Sequence, residues 1–331
     1  MPTPVPTLAE AIQSYIDVVE NSRSANTART YRQALDKLVE VLETHTLSAE
    51  QVSVETANIE WLRWFLPNLK IYAPATEQLY LTAFLGFFEF IIAEYDINLN
   101  LAQVRTFIKR RQRRIPPRLP EFPREQIESL LAAAEDLSAP LATDSSEVND
   151  ILRDLRDRAV LLTLADTGLR VAELCSLRRG QVYWEEARAL VEIKGGREAV
   201  VRFSERSLHA IQRYLKQRAV LDGASNRPLN TLPIFARHDK GAGKKILPIT
   251  TVGVRNIVDH WVGAILGQAH IGQITPHSFR HYFVTVVLRA SGGNLKLAQE
   301  LARHRNISIT QRYAHLSDDD LDRGYHEIFN E

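Results

Sequence analysis

Residues 189–203 read ALVEIKGGREAVVRF, and this stretch decides the kind of fold the chain adopts. Two short runs rich in β-branched residues flank Gly195-Gly196, the pattern of a tight hairpin whose side chains alternate between two faces. Outward in both directions the apolar period changes to three or four. Upstream, Ile151 to Ala165 and Leu169 to Leu177 read as helices, broken at Thr167-Gly168. Before them come an exposed polar loop, Ser138 to Asn149, and a helix from Arg124 that carries Ile127, Leu130 and Leu131. After the hairpin, helices continue to the C-terminus. This portion is mainly α with a small β insert.

Nearer the N-terminus the pattern is helical. Leu8, Ile12, Tyr15, Ile16 and Val19 fall on one face, and Tyr31, Leu35, Leu38 and Leu42 repeat the spacing. A third helix is expected from Thr76, as N-cap, through Leu81, Phe84, Phe88 and Ile91. Phe84, Phe87, Phe88 and Phe90 read as core rather than as a platform for stacking bases. Residues 1–112 are thus a small helical bundle.

A chain of 331 residues divides into two domains of ordinary size. Its net charge of +1 argues against a polyanionic partner until the distribution is examined. Residues 1–104 carry 6 basic and 13 acidic side chains, residues 105–124 carry 8 and 1, and residues 125–331 carry 27 and 26. One dense cationic segment is therefore concealed, the kind of patch that grips a phosphate backbone. Pro116, Pro117, Pro120 and Pro123 follow within it and exclude a continuous helix, so residues 113–123 are expected to link the bundle to a second domain, 124–331. The plainer alternative is a solvated linker with no ligand.

Other classes are excluded or disfavoured. Cys175 is the single cysteine, which rules out a disulfide framework and a Cys-based zinc cluster and fits the reducing cytoplasm. The opening MPTPVPTLAEAIQSY lacks the basic region and apolar core of a secretory signal. The most apolar run, Phe84 to Ala93, is interrupted by Glu89 and is too short for a bilayer, so no membrane is expected.

Three segments concentrate strong cations, imidazoles and one tyrosine: TGLRVAELCSL (167–177), PHSFRH (276–281) and ARHRNISITQRYAH (302–315). Singly, each has an ordinary explanation. Arg170 could be merely exposed; His277, Arg280 and His281 could form a surface stripe; His304 and Tyr313 could be half-buried and satisfied. Together they suit phosphoryl transfer. Guanidinium forks match phosphate oxygens, imidazoles hold or move protons near neutral pH, and nearby cations stabilise a phenolate nucleophile. No Walker loop and no evident Mg²⁺ cage accompany them, so the chemistry calls for no metal and no cofactor.

These motifs resemble those of the tyrosine recombinases of the phage integrase family, in its simple, Xer-like two-domain type, over nearly the whole chain. The resemblance implies an N-terminal SAM-like core-binding domain and a C-terminal α+β catalytic domain clamped around duplex DNA. It places the catalytic roles on Arg170, Lys194, His277, Arg280 and His304, with Tyr313 as nucleophile and Glu173 as support. It implies that Tyr313 attacks the scissile phosphate to leave a 3′-phosphotyrosyl link, while Lys194, on the hairpin, protonates the departing 5′-oxygen. Arg23, Arg29, Arg32 and Lys37 in the bundle, Arg110, Arg111, Arg113, Arg114 and Arg118 at the linker, and Arg197 on the hairpin would contact DNA.

A C-terminal helix over 317–330, with Leu321, Tyr325, Ile328 and Phe329 on one face, would dock into a neighbouring protomer. The implied assembly is a tetramer on two DNA sites with inverted half-sites, serving integration, excision or dimer resolution. The alternatives are a catalytically silent DNA-binding protein of the same fold and a relaxing enzyme like the type IB topoisomerases. With about 110 residues before the linker, a core-binding domain without a further arm-binding domain is expected. Four positions depart from the family pattern. Arg303 stands where glycine is usual and is expected to add a phosphate contact or crowd the site. Ala199 replaces a frequent basic residue of the hairpin, and Glu77 and Gln78 stand where relatives often have basic residues.

Overall fold

The structure, a computed structural model, describes residues 5–113, 123–136, 148–193, 196–239, 241–243 and 245–311. The chain divides into two compact units, residues 1–118 and 119–331.

The first unit is built of α1 (Leu8–Ser22), α2 (Ala25–Thr44), α3 (Ile59–Asn68), α4 (Pro74–Tyr95) and α5 (Leu101–Arg111). A reciprocal cap starts α1: Glu10 N–H donates to Thr7 Oγ1 and Thr7 N–H donates to the Glu10 carboxylate. Ser24 caps α2 through the Thr27 N–H. The third predicted helix begins two residues before its expected cap, because Pro74 occupies the first helical position and needs no partner for a missing N–H. At 22 residues, α4 is long and apolar enough to cross a membrane, more than the run Phe84 to Ala93 suggested. Its Phe84, Phe87, Phe88 and Ile91 are instead fully buried, and Phe84 stacks on Phe65 of α3 at 5.3 Å. It is a core helix of this bundle.

Glu77 on α4 is fully buried. Lys70 Nζ donates to its carboxylate at 2.8 Å, the Arg113 backbone N–H at 3.1 Å, and Arg113 Nε closes the set. Burial alone would raise its pKa, but these donors outweigh it and hold the carboxyl below the usual range. Glu77 is thus an internal anchor. Sequence periodicity did not reveal α3 or α5. The last turn of α5 carries Lys109, Arg110 and Arg111, cations that complement the helix C-terminus, so part of the basic segment is helical rather than extended.

The second unit contains α6 (Arg124–Glu135), α7 (Val148–Thr167), α8 (Val171–Ser176), β1 (Val182–Tyr183), β2 (Arg188–Ile193), β3 (Arg197–Arg202), α9 (Glu205–Ala224), α10 (Thr251–Ile265), α11 (Pro276–Ala290), α12 (Leu295–Ala302) and α13 (Ile307–Gln311). Val160, Leu161 and Leu164 of α7 are fully buried, and α6, α9 and α11 pack around that helix. The strands form one antiparallel sheet, β1-β2-β3, with Val182 opposite Ala189 and Ile193 opposite Arg197. The hairpin read from residues 189–203 is present, extended by the short β1. Ala189, Val191 and Val201 face inward and join the core, as period-two alternation requires. The chain is mainly helical with one small sheet, as the sequence implied.

Candidate active site

The site begins where α7 stops. Thr167 Oγ1 donates to the Thr163 carbonyl at 2.6 Å and accepts from Leu169 N–H at 3.2 Å, closing the helix end. Gly168 follows with φ +56°, and a Cβ there would overlap the Phe283 ring. Only glycine fits both conditions. Leu169 lies outside any helix and Arg170 is extended, so the next helix begins at Val171, two residues later than its pattern predicted, with Arg170 at the N-cap. Glu173, in the first turn, accepts from Arg170 N–H at 2.9 Å and from Arg170 Nη1 at 2.7 Å. Its side chain is 6% exposed while that of Arg170 is 43% exposed, so a buried carboxylate aims a guanidinium that reaches solvent.

α11 supplies the second arginine. Pro276 sets its first turn, and Thr275 N–H donates to Ser278 Oγ at 3.0 Å. Arg280 is 3% exposed. Its Nη1 donates to the Gly168 carbonyl and its Nη2 to the Ala302 carbonyl, so one guanidinium joins the α7–α8 turn to the end of α12. His277 lies one turn earlier, and its ring meets His281 edge-on at 4.3 Å between centroids. This is the helical face that the spacing of 277, 280 and 281 implied.

His304 follows the C-terminus of α12 and is 8% exposed. Its backbone N–H donates to the Gln299 carbonyl at 3.0 Å. Its Nδ1 lies 2.8 Å from Thr310 Oγ1, a fully buried hydroxyl that sequence reasoning missed. A lone threonine within a polar run carries no periodic signal; only the return of the chain in α13 brings it to the ring. Arg303, before it, turns inward rather than out. Its Nη2 donates to the Gly168 carbonyl at 3.0 Å and its Nη1 to the Leu301 carbonyl at 2.8 Å. Of the two expectations for Arg303, a phosphate contact or crowding of the site, the inward course of the side chain does not suit the first, since its guanidinium is taken up by backbone carbonyls.

The electrostatics tie these segments together. Burial, and then the charges of Arg280, Arg170 and Arg303, hold the His304 imidazole down to about 4. Burial, and then Arg280 and Arg170, lower His277 as well. His281 is lowered to about 4 by burial, His277 and Arg280. All three rings are neutral at pH 7, each able to donate one hydrogen bond and accept another. Guanidinium forks and neutral imidazoles are the donors that the oxygens of a phosphate diester accept from.

Lys194, Tyr313, the 317–330 helix, Arg114 and Arg118 lie outside the described residues. Of the cations expected to meet DNA, Arg23, Arg29, Arg110, Arg111 and Arg197 are exposed. Several have protein partners. Arg23 donates to Tyr31 Oη at 2.9 Å, Arg32 to Gln13 at 2.6 Å, and Lys37 pairs with Glu40 at 2.6 Å. Arg113 is engaged with Glu77 and the Tyr72 carbonyl.

The chain thus combines a helical two-unit fold and a small antiparallel sheet with a cluster of arginines and histidines drawn from three separated segments. Residues 121–320 match the phage integrase family model, and the chain belongs to that family. It is a tyrosine recombinase, an enzyme that cleaves and rejoins DNA. It is 28% identical over 308 residues to the tyrosine recombinase XerC of Bacillus pumilus, covering 93% of this chain and 91% of that protein. It is 35% identical over 228 residues to XerC of Pelobacter propionicus, covering 67% and 69%. The crystal structure of the XerH site-specific recombinase bound to palindromic difH substrate, a post-cleavage complex, superposes with a TM-score of 0.68. That likeness covers 97% of this chain and 84% of that one at 18% identity, a similarity of fold.

Proposed function

We propose that this protein recombines DNA at specific sites, with Tyr313 attacking the scissile phosphate to form a 3′-phosphotyrosyl bond and release a 5′-hydroxyl. The observation that carries this reading is the convergence of Arg170, His277, Arg280 and His304. Arg170 and Arg280 act on both the His277 and His304 rings, although Arg170 precedes the other three by more than 100 positions.

In this reading Arg170 and Arg280 bind the non-bridging oxygens and stabilise the charge that grows on them in the pentavalent transition state. His304 donates from Nε2 to a phosphate oxygen. As a neutral ring it does so when Nδ1 accepts from the Thr310 hydroxyl, the pair standing at 2.8 Å. His277 takes the tyrosyl proton; the incoming phosphate charge offsets Arg170 and Arg280 and makes the ring a stronger base. Lys194 gives a proton to the leaving 5′-oxygen, whose alkoxide is far too basic to depart unaided. The covalent ester conserves the bond, so a partner strand's 5′-hydroxyl reverses the step.

Residues 1–112 would be the core-binding domain, 113–123 the basic strap and 124–331 the catalytic domain, acting as a tetramer on inverted half-sites through the 317–330 helix. The cytoplasm is its expected location. Incubation with a nicked suicide substrate tests the chemistry. A covalent protein–DNA adduct is expected, absent in Tyr313→Phe; binding with no adduct would identify a silent binder. Removing residues 317–331 should abolish paired-site recombination. Survival of plasmid relaxation together with loss of recombination fits a tetramer, whereas unaltered recombination would exclude the helix as the assembly element.

A further inference from the structure

Arg303 has no part in the steps above, yet it occupies the centre of the network that sets them. Its backbone is left-handed, φ 57° and ψ 41°, at the C-cap of α12. Glycine takes that conformation freely and a long side chain does not. A residue kept there against its preference directs attention to its side chain. That side chain is 6% exposed, although it ends in a full positive charge.

The guanidinium meets the same two acceptors that orient the arginines of the site. Gly168 O accepts from both Arg303 Nη2, at 3.0 Å, and Arg280 Nη1. Glu173 Oε2 lies 3.6 Å from Arg303 Nη2 and accepts from the Arg170 backbone, while Oε1 accepts from Arg170 Nη1. Further bonds to the Leu301 and Thr167 carbonyls fill most of the remaining fork. Burial lowers the pKa of Arg303 and Glu173 acts against that, the mark of a charge withdrawn from water and paired inside. Nothing in this arrangement turns the guanidinium toward solvent.

We propose that Arg303 is a positioning residue: through the Gly168 carbonyl and the Glu173 carboxylate it sets the directions in which Arg280 and Arg170 meet the scissile phosphate. The proposal rests on the reading of Arg170 as a phosphate ligand. It differs from direct phosphate binding by Arg303, which would show itself in affinity. A cation at this place shares the carboxylate with Arg170 and so leaves the outer guanidinium able to turn to DNA.

The test uses the full chain and single-turnover cleavage of a suicide duplex at increasing DNA concentration. Arg303→Gly suits the left-handed backbone and removes the fork; Arg303→Asn tolerates the same backbone and serves if the glycine variant melts lower than the parent. Half-saturating DNA should stay within twofold of the parent, while the saturating rate falls tenfold or more. In an Arg170→Lys background the same substitution should cost at least threefold less than in the parent, because one of the two arginines through which it acts is already displaced. Equal losses in both backgrounds, a parental saturating rate, or weakened binding with an unchanged saturating rate would each overturn the proposal. A parental rate in Arg170→Lys alone would instead overturn the reading of Arg170, a separate and visible result.

Discussion

The carbonyl oxygen of Gly168 accepts a hydrogen bond from the guanidinium of Arg280, 112 positions later in the chain. That one acceptor joins the turn presenting Arg170 to the helix presenting His277. The backbone of the turn is therefore part of the site, besides the Arg170 side chain that it presents.

Gly168→Ala places a methyl group into the Phe283 ring and forces an L-residue to φ +56°. A stability loss of about 2–3 kcal/mol is expected from the overlap and the left-handed backbone together. Urea denaturation at neutral pH measures it. Adduct formation should fall more than the folded fraction does, since the Arg280 acceptor is displaced as well; a fall matching the folded fraction would contradict the role given to this turn.

Arg170→Ala and Arg280→Ala should separate chemistry from stability. Each removes a donor to the transition-state charge, and cleavage at saturating DNA should fall by roughly 10²–10³. Arg170, with a side chain 43% exposed, should cost little stability. Arg280, 3% exposed and bonded to two carbonyls, should cost about 2 kcal/mol more, because its acceptors are left buried. Paired melting curves and single-turnover rates decide between this and an equal effect.

Glu77→Gln removes the buried charge that holds Lys70 and Arg113. Loss of one partner of a buried pair costs about 3–5 kcal/mol, but these cations are 41% and 35% exposed and can be rehydrated, so about 2 kcal/mol is expected. The Glu77 pKa is held down in the folded state, so its contribution is present above the ordinary carboxylate value near 4.3 and is lost as pH falls further. The glutamine variant should therefore show a shallower loss of stability below about pH 4.

Acid should weaken the second unit earlier. Burial, then Arg156, Arg218 and Arg153, lower His238 to about 3, and His304 is lowered to about 4. Both are neutral when folded and take up protons near 6.5 when unfolded, so stability falls as pH drops from 6.5 toward 4. Each contributes at most about 2 kcal/mol of loss by pH 5. His238→Gln keeps a partner for Tyr214, 2.7 Å away, and should flatten the slope between pH 6.5 and 5 in urea titrations.

Much of the fold was legible because the forces involved are local. The faces of α1 and α2 follow apolar spacing, β2 and β3 follow the change of period, and Pro276 marks the start of α11. α3 escaped notice because its buried Trp61, Leu62, Phe65 and Leu66 are flanked by other large apolar residues, and Pro67 lies within it. α5 escaped because cations dominate its surface and only Val104 and Ile108 are buried. Arg170, His277, Arg280 and His304 were legible as candidates from residue type and order, and their proposed role rests on the chemistry of guanidinium and imidazole groups.

The sequence by itself determined which segments coil or extend and which side chains can carry phosphate chemistry, because propensity, periodicity and residue type act over a few neighbours. Only the tertiary structure decided which polar groups lose their water. Glu77 became an anchor, Thr310 became the partner of His304, and Arg303 turned away from the surface to hold Gly168 and Glu173. Desolvation depends on what packs against a group from distant parts of the chain, and in this protein those parts are joined by bonds between residues 112 and 135 positions apart.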